Sequence, residues 1–169
     1  IKPFLDAVAT TFPAPQTPTS VTQTDSEEEM ELAVDAAGPL VMYAFKVVDD
    51  QYGSVTYFKV ISGTANSDSR LLNTTEDAEE RLGALFAPRG KEQLTIDGGS
   101  VEAGDICAVV KLNSTKTGDL LCNKGDEYKL VPVEYPEPLF AVAVYPKTQA
   151  DSGKMGATLQ RMVAADATL

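Results

Sequence analysis

The sequence predicts a mainly β fold, a closed or sandwiched all-β unit over residues 39–130 with shorter pieces on either side. Two observations carry that prediction. Between Leu40 and Lys129 the chain alternates short β-branched or aromatic runs with Gly- and Asp-rich turns, and no convincing helix interrupts them. Beyond Tyr135 come one strand-like run and one helix-like stripe, a pair too small to bury a shared face unaided. The chain is therefore expected to be a slice of a larger molecule, with the function of a part.

In order along the chain, residues 1–12 predict a short helix, with Phe4, Leu5 and Val8 on one face and Pro3 in the first turn. Pro13, Pro15 and Pro18 end it, because the residue before a proline is pushed to extended geometry. Residues 13–37 are rich in Pro, Thr and acids and predict a mobile linker. Leu40 to Val48 is a nearly continuous apolar strand, and residues 49–53 form a turn signal. Strands follow at Val55–Ile61, Arg70–Asn73, Leu94–Ile96, Asp105–Leu112 and Leu120–Cys122, with turns at Ser62-Gly63-Thr64 and Asp97-Gly98-Gly99. Leu82, Leu85 and Phe86 form a further apolar run beside Arg81. Tyr135-Pro136-Glu137-Pro138 marks a boundary, Leu139–Tyr145 a strand, and Asp151 a helix N-cap. Met155, Leu159, Met162 and Val163 then fall on one helical stripe.

Composition narrows the function. With 43% hydrophobic residues a packed core is available, and the absence of Trp makes it largely aliphatic. Net charge is −11, which disfavours general nucleic-acid binding but permits a local basic patch. The acids are uneven: Asp25, Glu27, Glu28, Glu29, Glu31 and Asp35 share a stretch without Lys or Arg, the pattern of a solvated connector. The chain has no His, which removes His metal sites and His general bases. Cys107 and Cys122 are too few for a Cys-rich zinc site and sit in apolar runs, as buried thiols of a cytoplasmic protein do. No apolar run approaches the roughly 18 residues of a membrane span, and residues 1–30 carry no signal-peptide pattern.

Several motifs, in order, carry a resemblance. They are Phe45-Lys46, Asp50…Gly53, Tyr57-Phe58-Lys59-Val60, Ser62-Gly63, Arg81-Leu82-Gly83, Gly104-Asp105-Ile106, Leu112, Thr117-Gly118-Asp119, Leu121, Pro136-Glu137-Pro138, Pro146-Lys147, and Asp151 with Lys154 and Leu159. Together they resemble translational GTPases of the elongation factor G family, from the end of the GTPase domain into the third domain. Lys59 stands where the family usually has Arg, Lys111 where Gly is common, and 165–169 departs from the usual Glu-Asp-Pro, which suggests a diverged paralogue. The resemblance implies a Greek-key β-barrel of the translation-factor type over 39–130. Before it, residues 1–38 would be the end of the GTPase domain and an acidic, Pro-rich linker. After it, residues 131–169 would be a hinge at Pro136 and Pro138 and a truncated, ferredoxin-like α+β third domain. GTP and magnesium are implied for the parent protein and no cofactor for this piece. The implied partners are the ribosome, through small-subunit rRNA, and the GTPase and later domains of its own chain, with no membrane.

Tyr57 and Lys59 share parity on one strand, opposite Phe58 and Val60. An outward aromatic beside a cation suits RNA, by stacking and by phosphate contact. With the resemblance, the candidate RNA contacts are Tyr57, Lys59, Arg81 and Lys147. Asn123-Lys124-Gly125-Asp126 has the form of a guanine-reading motif, but no P-loop accompanies it, so a turn after the last barrel strand is the expectation. No catalytic residue is assigned. The function expected is a ribosome-docking and interdomain-coupling module that is not itself an enzyme. A ribosomal protection protein, or another ribosomal GTPase of the superfamily, stands as one alternative. A self-contained nucleotide-binding enzyme using Asn123–Asp126 and a small-molecule-binding barrel stand as others.

Overall fold

The computed structural model describes residues 1–12, 14–15, 18–24, 26, 28–50, 53–90, 92–131, 133–135, 137, 139–166 and 168. Helix α1, Lys2–Thr11, starts as expected with Pro3 in its first turn, where a missing N–H costs no helical bond. None of its residues is buried, so Phe4 and Leu5 face water.

The linker expectation needs correction within residues 13–37. Strands β1 (Thr19–Gln23) and β2 (Glu29–Leu32) form an antiparallel hairpin, with Thr19 opposite Leu32 and Thr22 opposite Glu29. Of its described side chains only Val21 and Leu32 are buried, among Val41, Ile61, Leu120, Cys122 and Tyr128. Two apolar anchors and a backbone ladder hold a segment whose other side chains are mostly polar and give it the look of a connector. Glu28, Glu29 and Glu31 point into water.

The remaining strands build the barrel. They are β3 (Val41–Asp50), β4 (Gly53–Ser62), β5 (Thr64–Asn66), β6 (Arg70–Asn73), β7 (Ala78–Arg81), β8 (Phe86–Arg89), β9 (Glu92–Thr95), β10 (Ser100–Glu102), β11 (Ile106–Val110), β12 (Leu120–Cys122) and β13 (Tyr128–Lys129). The main sheet runs β7-β6-β12-β3-β4-β11-β8-β9, with β10 paired to β5 and β13 to β1. Every ladder is antiparallel. Placing β12 between β3 and β6 requires long-range crossovers, as a Greek-key path does. Alternation does the rest: Met42, Ala44, Phe58, Val60, Cys107, Val109 and Leu121 fill the interior. Residues 64–66 and 100–102, to which the sequence assigns no strand, are short ladder strands whose signals are only three residues long, and of the Glu79–Phe86 run the ladders keep only 79–81 and Phe86.

Two of the motifs that carried the resemblance are seen to shape the backbone. Gly104 has φ +96°, and its N–H donates to the Val60 carbonyl at 2.8 Å. Gly118 has φ +101° and donates to the Ala44 carbonyl at 2.7 Å. Both lie in the region that side chains resist, which is why glycine serves there. Beside Gly118, Asp119 is buried and accepts from the Asn73 side-chain amide and the Lys116 N–H, each at 2.8 Å. Asn73 in turn accepts from the N–H groups of Thr75 and Glu76, which fixes the β6–β7 turn. Burial holds the Asp119 carboxyl above its ordinary value despite these two donors.

Helix α2, Gln149–Ala165, starts at Thr148 rather than at the expected Asp151. Thr148 Oγ1 accepts from the Asp151 N–H and donates to its carboxylate at 2.7 Å, so Asp151 completes the cap from the first turn. The helix end is tied to the barrel by Thr117, whose hydroxyl accepts from Val47 N–H and donates to the Ala165 carbonyl at 3.2 Å. The strand expected over Leu139–Tyr145 does not form. Its composition suits a strand, but no described strand lies beside it, and a ladder needs a neighbour for its backbone groups.

Candidate functional site

The outward face of β3, β4 and β11 gathers aromatic and basic side chains. Lys59 is exposed and Tyr57 half-buried, while Phe58 and Val60 are fully buried, so the parity read from the sequence is the parity of the strand. Register sets the neighbours. Lys59 lies between Tyr43 on β3 and Ile106 on β11, and Tyr57 lies between Lys46 and Ala108.

Lys46 reaches this face through a defect in the ladder. The register shifts between Ala44 and Lys46, which leaves Phe45 as an extra residue. Without the shift, Phe45 and Lys46 would point to opposite faces. With it both are exposed, and the Phe45 ring sits 6.3 Å from that of Tyr57 at a 44° tilt. Sequence reasoning missed Phe45, Lys46 and Ile106. The Phe45-Lys46 pair was visible, but a bulge has no local signature that would assign both to one face.

Four cations elsewhere on the barrel are engaged by neighbouring acids. Arg81, Arg89, Lys116 and Lys124 are held by Asp68, Glu92, Glu76 and Glu79, at 3.1, 2.8, 2.7 and 3.1 Å. Lys46 and Lys59 have no ion pair among the described residues. Both stand exposed on the face that carries Tyr57 and Phe45.

The other candidates fall elsewhere. Arg81 is on β7, at the sheet edge, with β6, β12 and β3 between it and β4 in strand order. It is exposed, directly opposite Arg70, and paired with Asp68. Lys147 is exposed at the start of α2, on a groove of about 400 Å³ formed with Tyr145, Met155 and Leu159. Pro136 and Pro138 lie outside the described residues. Asn123–Asp126 forms a turn after β12, closed by the Asp126 N–H on the Asn123 carbonyl, with Lys124 held by Glu79. A half-open cleft of about 420 Å³ lies at the barrel surface, lined by Tyr43, Thr74, Thr117, Lys129 and Tyr135. Burial and the nearby Tyr135 push the Tyr43 hydroxyl up. Among the described residues no cluster of acids and thiols could hold a metal, and no helix is long and apolar enough to cross a membrane.

A family model described as elongation factor G domain 2 matches residues 39–124, from just before β3 to just past β12. The chain belongs to the elongation factor G family. Domain 2 is a non-catalytic domain of a translational GTPase family, so residues 39–124 are a translation-factor domain and the candidate face is a surface of it. The structure is similar to a crystal structure of a protein from Thermus thermophilus, with 25% identity, a TM-score of 0.72 and 99% of this chain covered. This chain spans 23% of the length of that protein. Within elongation factor G domain 2, the Gly-Asp-Ile and Thr-Gly-Asp blocks shape turns, while Tyr57 and Lys59 are presented outward.

Proposed function

We propose that the chain is the ribosome-docking and interdomain-coupling module of an elongation factor G-like translational GTPase, and that it meets small-subunit rRNA through the outer face of β3, β4 and β11. The observation that carries this reading is the clustering of exposed Lys46 and Lys59 with Phe45 and Tyr57 on one face, set by the strand register and the bulge at Phe45. In a chain of net charge −11, a local basic and aromatic face offers RNA both phosphate attraction and a stacking surface. Arg81 and Lys147 are secondary contacts in this reading, because they lie away from the face. The coupling role rests on the Pro136–Pro138 connector that the sequence places between barrel and α2. GTP and magnesium belong to a GTPase domain outside residues 1–169, and the setting is the cytoplasm. A ribosomal protection protein of the same superfamily would use the same face. The nucleotide-binding alternative is weakened by the engagement of Lys124 with Glu79.

The Lys46→Glu/Lys59→Glu variant should bind small ribosomal subunits about 10–100-fold more weakly at low salt, and its affinity should fall less steeply with salt. Arg89→Glu, on β8 and already paired with Glu92, should bind as the parent does. Both variants should unfold within about 0.5 kcal/mol of the parent, since all three side chains are at the surface. Equal binding by the double variant and the parent overturns the assignment.

A further inference from the structure

The ladder register continues the candidate face beyond its two lysines. Lys46 on β3, Tyr57 on β4, Ala108 on β11, Phe86 on β8 and Thr95 on β9 are partners in turn and form one row across five strands. Directly paired residues project to the same side of a sheet. Tyr57 is outward, opposite in parity to the buried Phe58 and Val60, so Phe86 is outward with it. Between the two rings Ala108 supplies only a methyl, and its neighbours cover it to 1% exposure. The bulge adds Phe45 on the other flank of Tyr57. The next row holds Tyr43, Lys59 and the exposed Ile106. Lys46 and Lys59 are diagonal neighbours across β3 and β4, about 7–8 Å apart between Cα atoms, with Tyr57 at the corner between them.

Resting on the docking reading above, we infer that this aromatic ledge takes an unpaired ribonucleotide, its base stacked beside Tyr57 and Phe45 and its flanking phosphates met by Lys46 and Lys59. Cations alone would serve a double helix as well as a single strand, since both offer phosphates. The rings decide between them. A base inside an A-form helix has its faces covered by stacked neighbours and gives a ring nothing to lie on, whereas a base in a bulge or loop has a free face. Such stacking tolerates any base, because each has a π-face. Phe45 and Tyr57 are 6.3 Å apart at a 44° tilt, so they do not make one flat plate for the end of a helix. They suit a single base that lies on one ring and abuts the other. The bulge serves this arrangement: it turns Phe45 out beside Lys46, as bulges re-aim side chains next to binding sites.

The test is binding of ring variants to small ribosomal subunits, with zero-length ultraviolet cross-linking to locate the contact. Tyr57→Leu and Phe45→Leu should each weaken binding about 5–100-fold, the equivalent of one lost stack. The steepness of affinity against salt should stay that of the parent, because no phosphate contact is removed. Tyr57→Phe keeps the ring and should bind as the parent does. Phe45→Leu, at an exposed position, keeps the test readable should Tyr57→Leu disturb the sheet. The parent should cross-link to a nucleotide that is unpaired in the subunit, and Tyr57→Leu should lose that cross-link. Ring variants that bind as the parent, or cross-links confined to paired nucleotides, overturn the inference and leave the docking reading to its own lysine test. A loss of affinity with a shallower salt dependence also overturns it, since the rings would then act only through the lysines. Unchanged binding by Lys46→Glu/Lys59→Glu removes the docking reading and this inference with it.

Discussion

Gly63→Ala is expected to destabilise the barrel by about 3–5 kcal/mol, a large share of the roughly 5–15 kcal/mol by which domains are stable. Gly63 has φ +78°, which alone costs alanine about 1 kcal/mol. The greater cost comes from contact with atoms that cannot step aside. A Cβ there would lie 2.6 Å from Leu40 Cα, 2.8 Å from Leu40 N and 3.0 Å from the Gly38 carbonyl oxygen. All three are backbone at the entry to β3. Any shift also disturbs the Gly63 N–H bond to the Asp35 carbonyl at 2.8 Å and the Ala103 N–H bond to the Gly63 carbonyl at 2.9 Å. Gly118→Ala is the control: it is strained in φ but meets nothing within 4 Å, and should cost only about 1–2 kcal/mol. Urea unfolding of the two variants checks the difference, and equal midpoints would show that crowding at Leu40 is relieved at no cost.

Glu80→Ala is expected to cost about 3–5 kcal/mol as well. Glu80 is a buried carboxylate with 1% of its surface exposed and no ion pair among the described residues. Its charge is met instead by the loop after β11: the N–H groups of Asn113, Ser114 and Thr115 and the hydroxyls of Ser114 and Thr115 all donate to it, the shortest from Ser114 N–H at 2.6 Å. Alanine would leave the Asn113, Ser114 and Thr115 N–H groups without this acceptor, the last of them on a buried residue. Glu80→Gln keeps one oxygen for the cluster and should cost about 1–2 kcal/mol. Burial pushes this carboxyl up, but the donors from Ser114, Asn113 and Thr115 outweigh it, and the group is held below its ordinary 4.5. A depressed acid contributes stability that is present above 4.5 and lost as pH falls through the lower folded value. Asp119, held above its ordinary value, works with the opposite sign: its contribution is present at low pH and lost as pH rises through the folded value. The difference between parent and Glu80→Gln removes the Asp119 part, and it should shrink as pH is lowered below 4.5. A difference independent of pH would contradict the loop-donor account.

What was legible in the sequence was local. The α1 stripe, the strand periodicity of Leu40–Val48 and Val55–Ile61, and the parity of Tyr57 against Phe58 depend on neighbours a few positions away. The β1–β2 hairpin was not legible, because its support comes from β13 and from two buried side chains in a polar, acidic stretch. Glu80 looked like any surface acid, since its partners begin 33 residues away in the chain, and the burial of Asp119 was hidden because its side-chain partner Asn73 lies 46 residues away. Leu139–Tyr145 shows the converse. Its residues prefer a strand, but the pairing that makes a strand comes from outside the segment. The docking face was half visible: Lys59 and Tyr57 follow from alternation, whereas Lys46 and Phe45 join them only because of the bulge.

The central claim is that the outer face of β3, β4 and β11 lies against small-subunit rRNA. Directed hydroxyl-radical cleavage tests it, with iron-EDTA tethered at Ile106→Cys, beside Lys59, or at Glu31→Cys on the acidic hairpin. The native thiols do not compete, because burial pushes Cys107 up to about 12 and Cys122 to about 11. Localised rRNA cuts from position 106 and none from position 31 are the predicted result. Silence from position 106 while the tethered chain remains bound to the subunit, or equal cutting from both positions, would contradict it.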